Sequence, residues 1–227
     1  MSASHGRGEP GSGSLSVGID FDNTIAGYDE LMLDAAVGWG LLASGSVAGK
    51  RGIRDHLRRL PDGESHWRRL QTYAYGEGMA RARPMAGVLP FLAFCRDRRI
   101  PVWVVSHKTE YNNFGEPTVN LRRAALDWMA QQGFFDEDAT GLNRERVFFE
   151  ATREEKVARI GRLAPTHFID DLDETFLERG FPPGVGKIHF LPHGDPSAVA
   201  GALPAASWMA ILAHFQGLVA ADTERRS

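Results

Sequence analysis

Two aspartates spaced by one residue, Asp20 and Asp22, follow the short apolar run Val17-Gly18-Ile19 and precede Asn23 and Thr24. In extended backbone, side chains two positions apart point to the same side. Carboxylates so close repel unless a shared proton or a cation compensates, and a hard, oxygen-seeking ion such as magnesium is the natural cation. A solvated turn in which Asp22 or Asn23 caps local backbone accounts for the same residues about equally well.

A second polar group, Ser106, His107, Lys108 and Thr109, follows Val102-Trp103-Val104-Val105. A hydroxyl with adjacent backbone N–H groups suits a phosphoryl oxygen; ordinary strand-to-loop capping by Ser106 is the plainer account. One of His107 and Lys108 is expected to contact a substrate. The third group, Asp170, Asp171, Leu172, Asp173 and Glu174, follows His167-Phe168-Ile169. A helix N-terminus favours acids and explains Asp173 and Glu174 well. It explains Asp170 and Asp171 less well, because they abut the apolar run directly. Lys156, in Arg153-Glu154-Glu155-Lys156, is by itself one charge on a solvated helix face.

These groups need elements to hold them. Strand-length apolar runs occur at 15–19, 100–105, 146–149, 167–169 and 187–191, and helix-length amphipathic stretches at 85–98, 118–132, 152–163 and 205–219. The alternation predicts an α/β fold with a Rossmann-like, doubly wound, mainly parallel sheet, whose ligands sit beyond the carboxyl ends of the strands. All three polar groups lie at such ends. Ile25 and Gly27 suggest a tight turn after the first strand. From 28 to 83 the pattern is helical only, over 29–43, 49–60 and 65–81, which reads as an inserted small α-helical cap over that edge. The organisation expected is a flexible tail at 1–14, rich in Gly and Ser, an α/β core at 15–27 and 84–227, and the cap at 28–83.

A formal net charge of -3 over 227 residues gives no global reason to expect a nucleic acid polymer or a membrane as partner. Cys95 is the only cysteine, which excludes an intrachain disulfide and a multi-cysteine zinc site, and cytoplasmic localisation is the simplest expectation. Set among Phe91, Leu92 and Phe94, Cys95 reads as a buried helix residue. No apolar stretch has the length of a signal peptide or a bilayer span. Composition leaves the oligomeric state open.

Taken in order, these groups make the chain similar to the haloacid dehalogenase-like (HAD) hydrolases, in the phosphatase branch with a helical C1-type cap. Asp20, Asp22 and Thr24 match the first motif, Ser106 the second, Lys156 the third (with Arg153 as a substitute), and Asp170 with Asp171 the fourth. The resemblance spans about residues 15–192. It implies a magnesium-dependent phosphomonoester hydrolase in which Asp20 is the nucleophile and Asp22 the acid and base. Asp20, the backbone carbonyl of Asp22, Asp170 and Asp171 would hold magnesium. Thr24, Ser106, His107 and Lys156 would bind the phosphate. Asp22 favours phosphate esters over carbon–halogen bonds, since the dehalogenase branch does not need an acid at that position.

Substrate choice is expected to lie in the cap and in the loop 108–117. The cap bases Lys50, Arg51, Arg54, Arg58, Arg59, Arg68 and Arg69 read mostly as solvated helix faces. Tyr73 and Tyr75, beside Gly76 and Gly78, are expected to face the substrate, as is Lys108; the glycines argue for a loop or kink there. In the 108–117 loop, Tyr111, Asn112, Asn113 and Phe114 are further candidates. The run Ser106-His107-Lys108-Thr109 and the tyrosine-glycine cap also resemble HAD-like proteins of bacterial polysaccharide pathways. A small phosphorylated metabolite, a sugar phosphate or a nucleotide, follows as the expected partner. Two readings compete: a signalling receiver domain, disfavoured by the order of the acids, and a catalytically idle HAD-like protein that binds a phospholigand or a partner.

Overall fold

The computed structural model describes residues 14–47, 49–112, 119–194 and 199–226. All but the last residue of the expected tail lies outside these, as do Asn113 and Phe114.

The apolar runs form β1 (Val17–Ile19), β4 (Val102–His107), β5 (Val147–Glu150), β6 (His167–Asp170) and β7 (Gly186–Phe190), each within a few residues of its expected place. With β8 (Ala202–Ala205) they make one six-stranded parallel sheet in the order β5-β4-β1-β6-β7-β8. The strands are apolar on both sides because both faces are covered. Adjacent residues serve opposite faces: Val104 and Ile169 join one apolar cluster with Trp128 and Trp208, whereas Val105 and Phe168 join another with Ile160 and Phe176. The helices on these faces are α4 (Val88–Asp97), α5 (Leu121–Gln131), α6 (Arg153–Leu163), the short α7 (Asp173–Leu177) and α8 (Trp208–Arg226). Cys95 is buried in α4. None of the described helices is long and apolar enough to cross a membrane.

The centre of the sheet is tightly fitted. Gly18 of β1 pairs with Phe168 of β6, and a Cβ at Gly18 would stand 2.5 Å from the Phe168 ring. A side chain there would displace the Phe168 ring or force apart the two strands that carry the aspartates.

The helical stretch resolves into α1 (Asp29–Gly38), α2 (Gly49–Leu57), α3 (Gly63–Tyr75) and a 3₁₀ turn, Glu77–Arg81. The single helix expected at 65–81 breaks at Gly76. Gly78 then passes so close to Tyr73 that a Cβ would meet its ring at 2.9 Å. These helices pack on one another, and α3 and the 3₁₀ turn pack on α5.

The turn expected at Ile25–Gly27 is instead β2 (Ala26–Gly27), paired antiparallel with β3 (Arg83–Pro84), so the helical segment leaves and re-enters through one narrow ribbon. The reversal happens earlier, at Asn23, whose φ of 60° lies in the left-handed region that Asn tolerates better than most residues. The Ile25 and Ala26 N–H groups then donate to the Phe21 carbonyl, closing the turn.

Candidate active site

The carboxyl ends of β1, β4 and β6 bring Asp20, Ser106 and Asp170 together, all buried. Opposite them, α6 supplies Lys156. Thr152 opens this helix with a reciprocal cap: its hydroxyl accepts from the Glu155 N–H at 3.1 Å, and the Glu155 carboxylate accepts from the Thr152 N–H at 3.2 Å. Such a cap is worth about 1 kcal/mol, and it fixes the first turn, in which Lys156 lies. The Lys156 ammonium donates to Asp20 Oδ1 and to Asp170 Oδ2, both at 2.6 Å. It is therefore Lys156 rather than Arg153 that reaches the acids.

Asp171 completes the group. Its Oδ1 accepts from the Thr24 hydroxyl at 3.3 Å, while Asp170 Oδ1 accepts from the Leu172 N–H at 3.0 Å. Thr24, expected to bind phosphate, instead orients Asp171, and its carbonyl accepts from the Trp208 indole at 2.9 Å.

Ligand oxygens of Asp20, Asp170 and Asp171 lie within 4.8 Å of one another. Burial, only partly opposed by Lys156 and reinforced by Asp170 and Asp22, pushes Asp20 up to about 7. Burial, then Asp170 and Asp20, holds Asp171 well above the usual carboxylate range. Burial works against the Lys156 ammonium, but Asp170 and Asp20 outweigh it and raise its proton affinity. Three acid side chains outnumber the ammonium groups of Lys156 and, beside Asp171, Lys50, and they form a largely buried, all-oxygen donor set that fits a hard divalent cation such as magnesium.

Asp22 stands apart from this cluster. Its carboxylate is held by Lys108, whose Nζ lies 3.0 Å from Oδ1 and 2.9 Å from Oδ2, and by the Tyr28 hydroxyl, which donates to Oδ1 at 2.5 Å. Lys108, expected as a substrate contact, is thus an ion-pair partner of Asp22. His107 does not join the converging groups: its exposed ring turns to the Ala151 carbonyl at 3.1 Å.

From the helical segment, Tyr75 reaches the site and Tyr73 does not. Tyr75 packs edge-on against Tyr28 with ring centroids 4.9 Å apart, and the Lys108 ammonium lies 5.0 Å from its ring. Tyr73 instead packs on Trp39 and accepts a hydrogen bond from Arg81. Residues two apart on a helix lie on nearly opposite faces, so only one of the pair can face the site.

Sequence reasoning missed Tyr28 as a site residue and grouped Lys50 with the solvated bases. Burial opposes the Lys50 ammonium, but Tyr75, Asp171 and Asp22 outweigh it and hold it above the ordinary lysine value. The Lys50 backbone N–H donates to Asp29 Oδ1 at 2.8 Å. The signal for Tyr28 was its position six residues after Asp22, on a chain that has just reversed. A cavity of about 720 Å³ opens beside the cluster, lined by Asn23, Lys50, Arg51, Arg54, Asp171 and His193 among others.

Neither the models of protein families nor the curated proteins contain a match to this sequence. Solved structures do match. A HAD family hydrolase from Deinococcus radiodurans, with bound phosphate and sodium, aligns at TM-score 0.54 and 14% identity over 88% of this chain and 94% of that one. A predicted phosphoglycolate phosphatase from Haemophilus somnus aligns at TM-score 0.53 and 13% identity over 90% and 100%. A dehalogenase aligns at TM-score 0.52 and 12% identity over 88% and 97%. The fold is that of the haloacid dehalogenase-like hydrolases.

One consequence of the acidic cluster is measurable without a substrate. A carboxyl group with raised proton affinity in the folded state favours folding at low pH, and that contribution is lost as pH rises through about 7, the value for Asp20. A metal ion held by those oxygens would compete with the protons. Magnesium at a hundredfold excess over its dissociation constant is expected to add about 2.7 kcal/mol, and the rise in Tm should be larger near about pH 8 than near about pH 5.5. A Tm that magnesium leaves unmoved at both pH values would remove the metal site.

Proposed function

We propose that the chain is a magnesium-dependent phosphomonoester hydrolase that works through an aspartyl phosphate on Asp20. The observation that carries the reading is one constellation: buried Asp20 bridged to buried Asp170 by Lys156, half-buried Asp171 alongside, and a separately held, half-buried carboxylate, Asp22, two residues on.

In the first step an Asp20 oxygen attacks phosphorus and the bond from phosphorus to the leaving oxygen breaks, while Asp22 gives that oxygen its proton. In the second, Asp22, now a carboxylate, takes a proton from the water that attacks the same phosphorus. Inorganic phosphate leaves and the Asp20 carboxylate is restored. Ser106 and Lys156 bind the equatorial oxygens and oppose the charge that spreads over them. Asp20, Asp170, Asp171 and the Asp22 carbonyl would hold magnesium, which supplies the positive charge that lets an anionic nucleophile approach a phosphate.

The helical segment serves as the cap. The Lys50-lined cavity beneath it suits a small phosphorylated metabolite, a sugar phosphate or a nucleotide. Dehalogenases share the fold, so the fold alone does not choose the reaction; Asp22, which a carbon–halogen cleavage does not require, favours the ester. The test is a panel of phosphomonoesters assayed with and without magnesium. Turnover of at least one member, lost with chelator, is expected. No turnover of any member would leave an idle phospholigand-binding protein as the better reading.

A further inference from the structure

Asp22 is gripped more firmly than an acid and base facing solvent needs to be. Both of its oxygens are engaged by Lys108, and Oδ1 also accepts from Tyr28. Neither partner is a passing surface contact. Tyr28 is fully buried, its ring fixed against Tyr75 and its hydroxyl 3.2 Å from the Met79 sulfur. The Lys108 side chain is only 3% exposed, lying between the Phe21 and Tyr75 rings. Its backbone is tied on both sides: the N–H donates to the Glu150 carbonyl at 2.9 Å, and the carbonyl accepts from Arg122 Nε at 2.9 Å. An ammonium carried on backbone so constrained has few other places to go.

The geometry points to Tyr28 and Lys108 as positioning residues that hold the Asp22 carboxyl group in the orientation from which, once protonated, it gives its proton to the leaving oxygen and, as a carboxylate, then takes one from water. The inference rests on Asp22 being the acid of the proposed reaction. Tyr28 lies where the chain enters the helical segment, and Lys108 lies just beyond β4. The clamp therefore joins the two parts of the molecule at the acid itself. A misaligned acid loses rate only where the leaving group needs a proton.

The test uses the full-length protein with magnesium and two esters, 4-nitrophenyl phosphate and an alkyl phosphate from the panel that is turned over. It compares kcat/KM, which reports the steps up to phosphoryl transfer. Nitrophenolate leaves without a proton, whereas an alkoxide does not. For Tyr28→Phe, which keeps the buried ring, kcat/KM is expected to fall about tenfold further on the alkyl ester than on the aryl one. Lys108→Met should show the same bias, and adding Tyr28→Phe to Asp22→Asn should cost nothing more. Equal losses on the two esters, a loss confined to KM, or full additivity with Asp22→Asn would overturn the positioning role. An unbiased Asp22→Asn would instead overturn the acid assignment, and with it this inference. A wild-type protein inactive on 4-nitrophenyl phosphate and on every alkyl ester of the panel would overturn the phosphatase reading beneath them.

Discussion

Asp20→Asn is expected to lower kcat by about a thousandfold or more on every phosphomonoester the protein turns over, while the fold survives. The amide has nearly the shape of the carboxylate but no negative oxygen to attack phosphorus. Stability should move little, because two effects oppose. Lys156 loses one of two partners, but the buried cluster loses one of its three repelling carboxylates. Thermal unfolding of the variant alongside its kinetics checks both halves. Retention of hydrolysis would end the assignment of Asp20 as nucleophile.

Lys156→Met should have the largest effect on stability. Its side chain is 2% exposed, and its ammonium is shared by two buried carboxylates. Taking one partner from a buried ion pair costs about 3–5 kcal/mol, since the remaining charge has neither water nor a counter-ion. Near about pH 8 without metal, that loss should appear almost in full. Magnesium, or acid that protonates Asp20, should recover part of it, because either replaces the missing positive charge. Denaturant unfolding with and without magnesium measures the difference. A loss below about 1 kcal/mol in metal-free buffer would show that the cluster does not depend on the lysine. Turnover should fall as well, with the loss of a phosphoryl-oxygen ligand.

Much of this was legible because the sheet is parallel and covered on both faces. Runs such as Val102-Trp103-Val104-Val105 can then be apolar throughout, and the polar residue that ends each run marks the ligand edge. The same rule hid β8: its residues Ala202-Leu203-Pro204-Ala205 include a proline and no β-branched side chain, tolerable because β8 lies at the sheet edge. The ribbon β2–β3, two residues a side, is too short to leave a pattern. Lys156, the base expected ahead of Arg153, lies in the first turn of the helix that Thr152 and Glu155 cap. The partners of Asp22 were less accessible. Lys108 is 86 positions away in sequence, and a contact between an ion pair's two halves leaves no trace in the local pattern of either. Tyr73 was misjudged because a pair of tyrosines was read as one feature, although the helix sends them to different faces.

The ribbon through which the helical segment enters and leaves bears on how such a protein could diverge. Gly27 and Arg83 are paired neighbours, so the 55 residues between them enter and leave the α/β part at one point, although their apolar side chains share its core. Any exchange of this segment would remove Tyr28, the first residue beyond the ribbon, and with it one of the groups that hold Asp22. Under the proposed reaction, a lineage acquiring a new specificity by trading this segment would have to rebuild the anchorage of its own proton donor. Substrate preference and catalytic competence would then be inherited together through that single tyrosine.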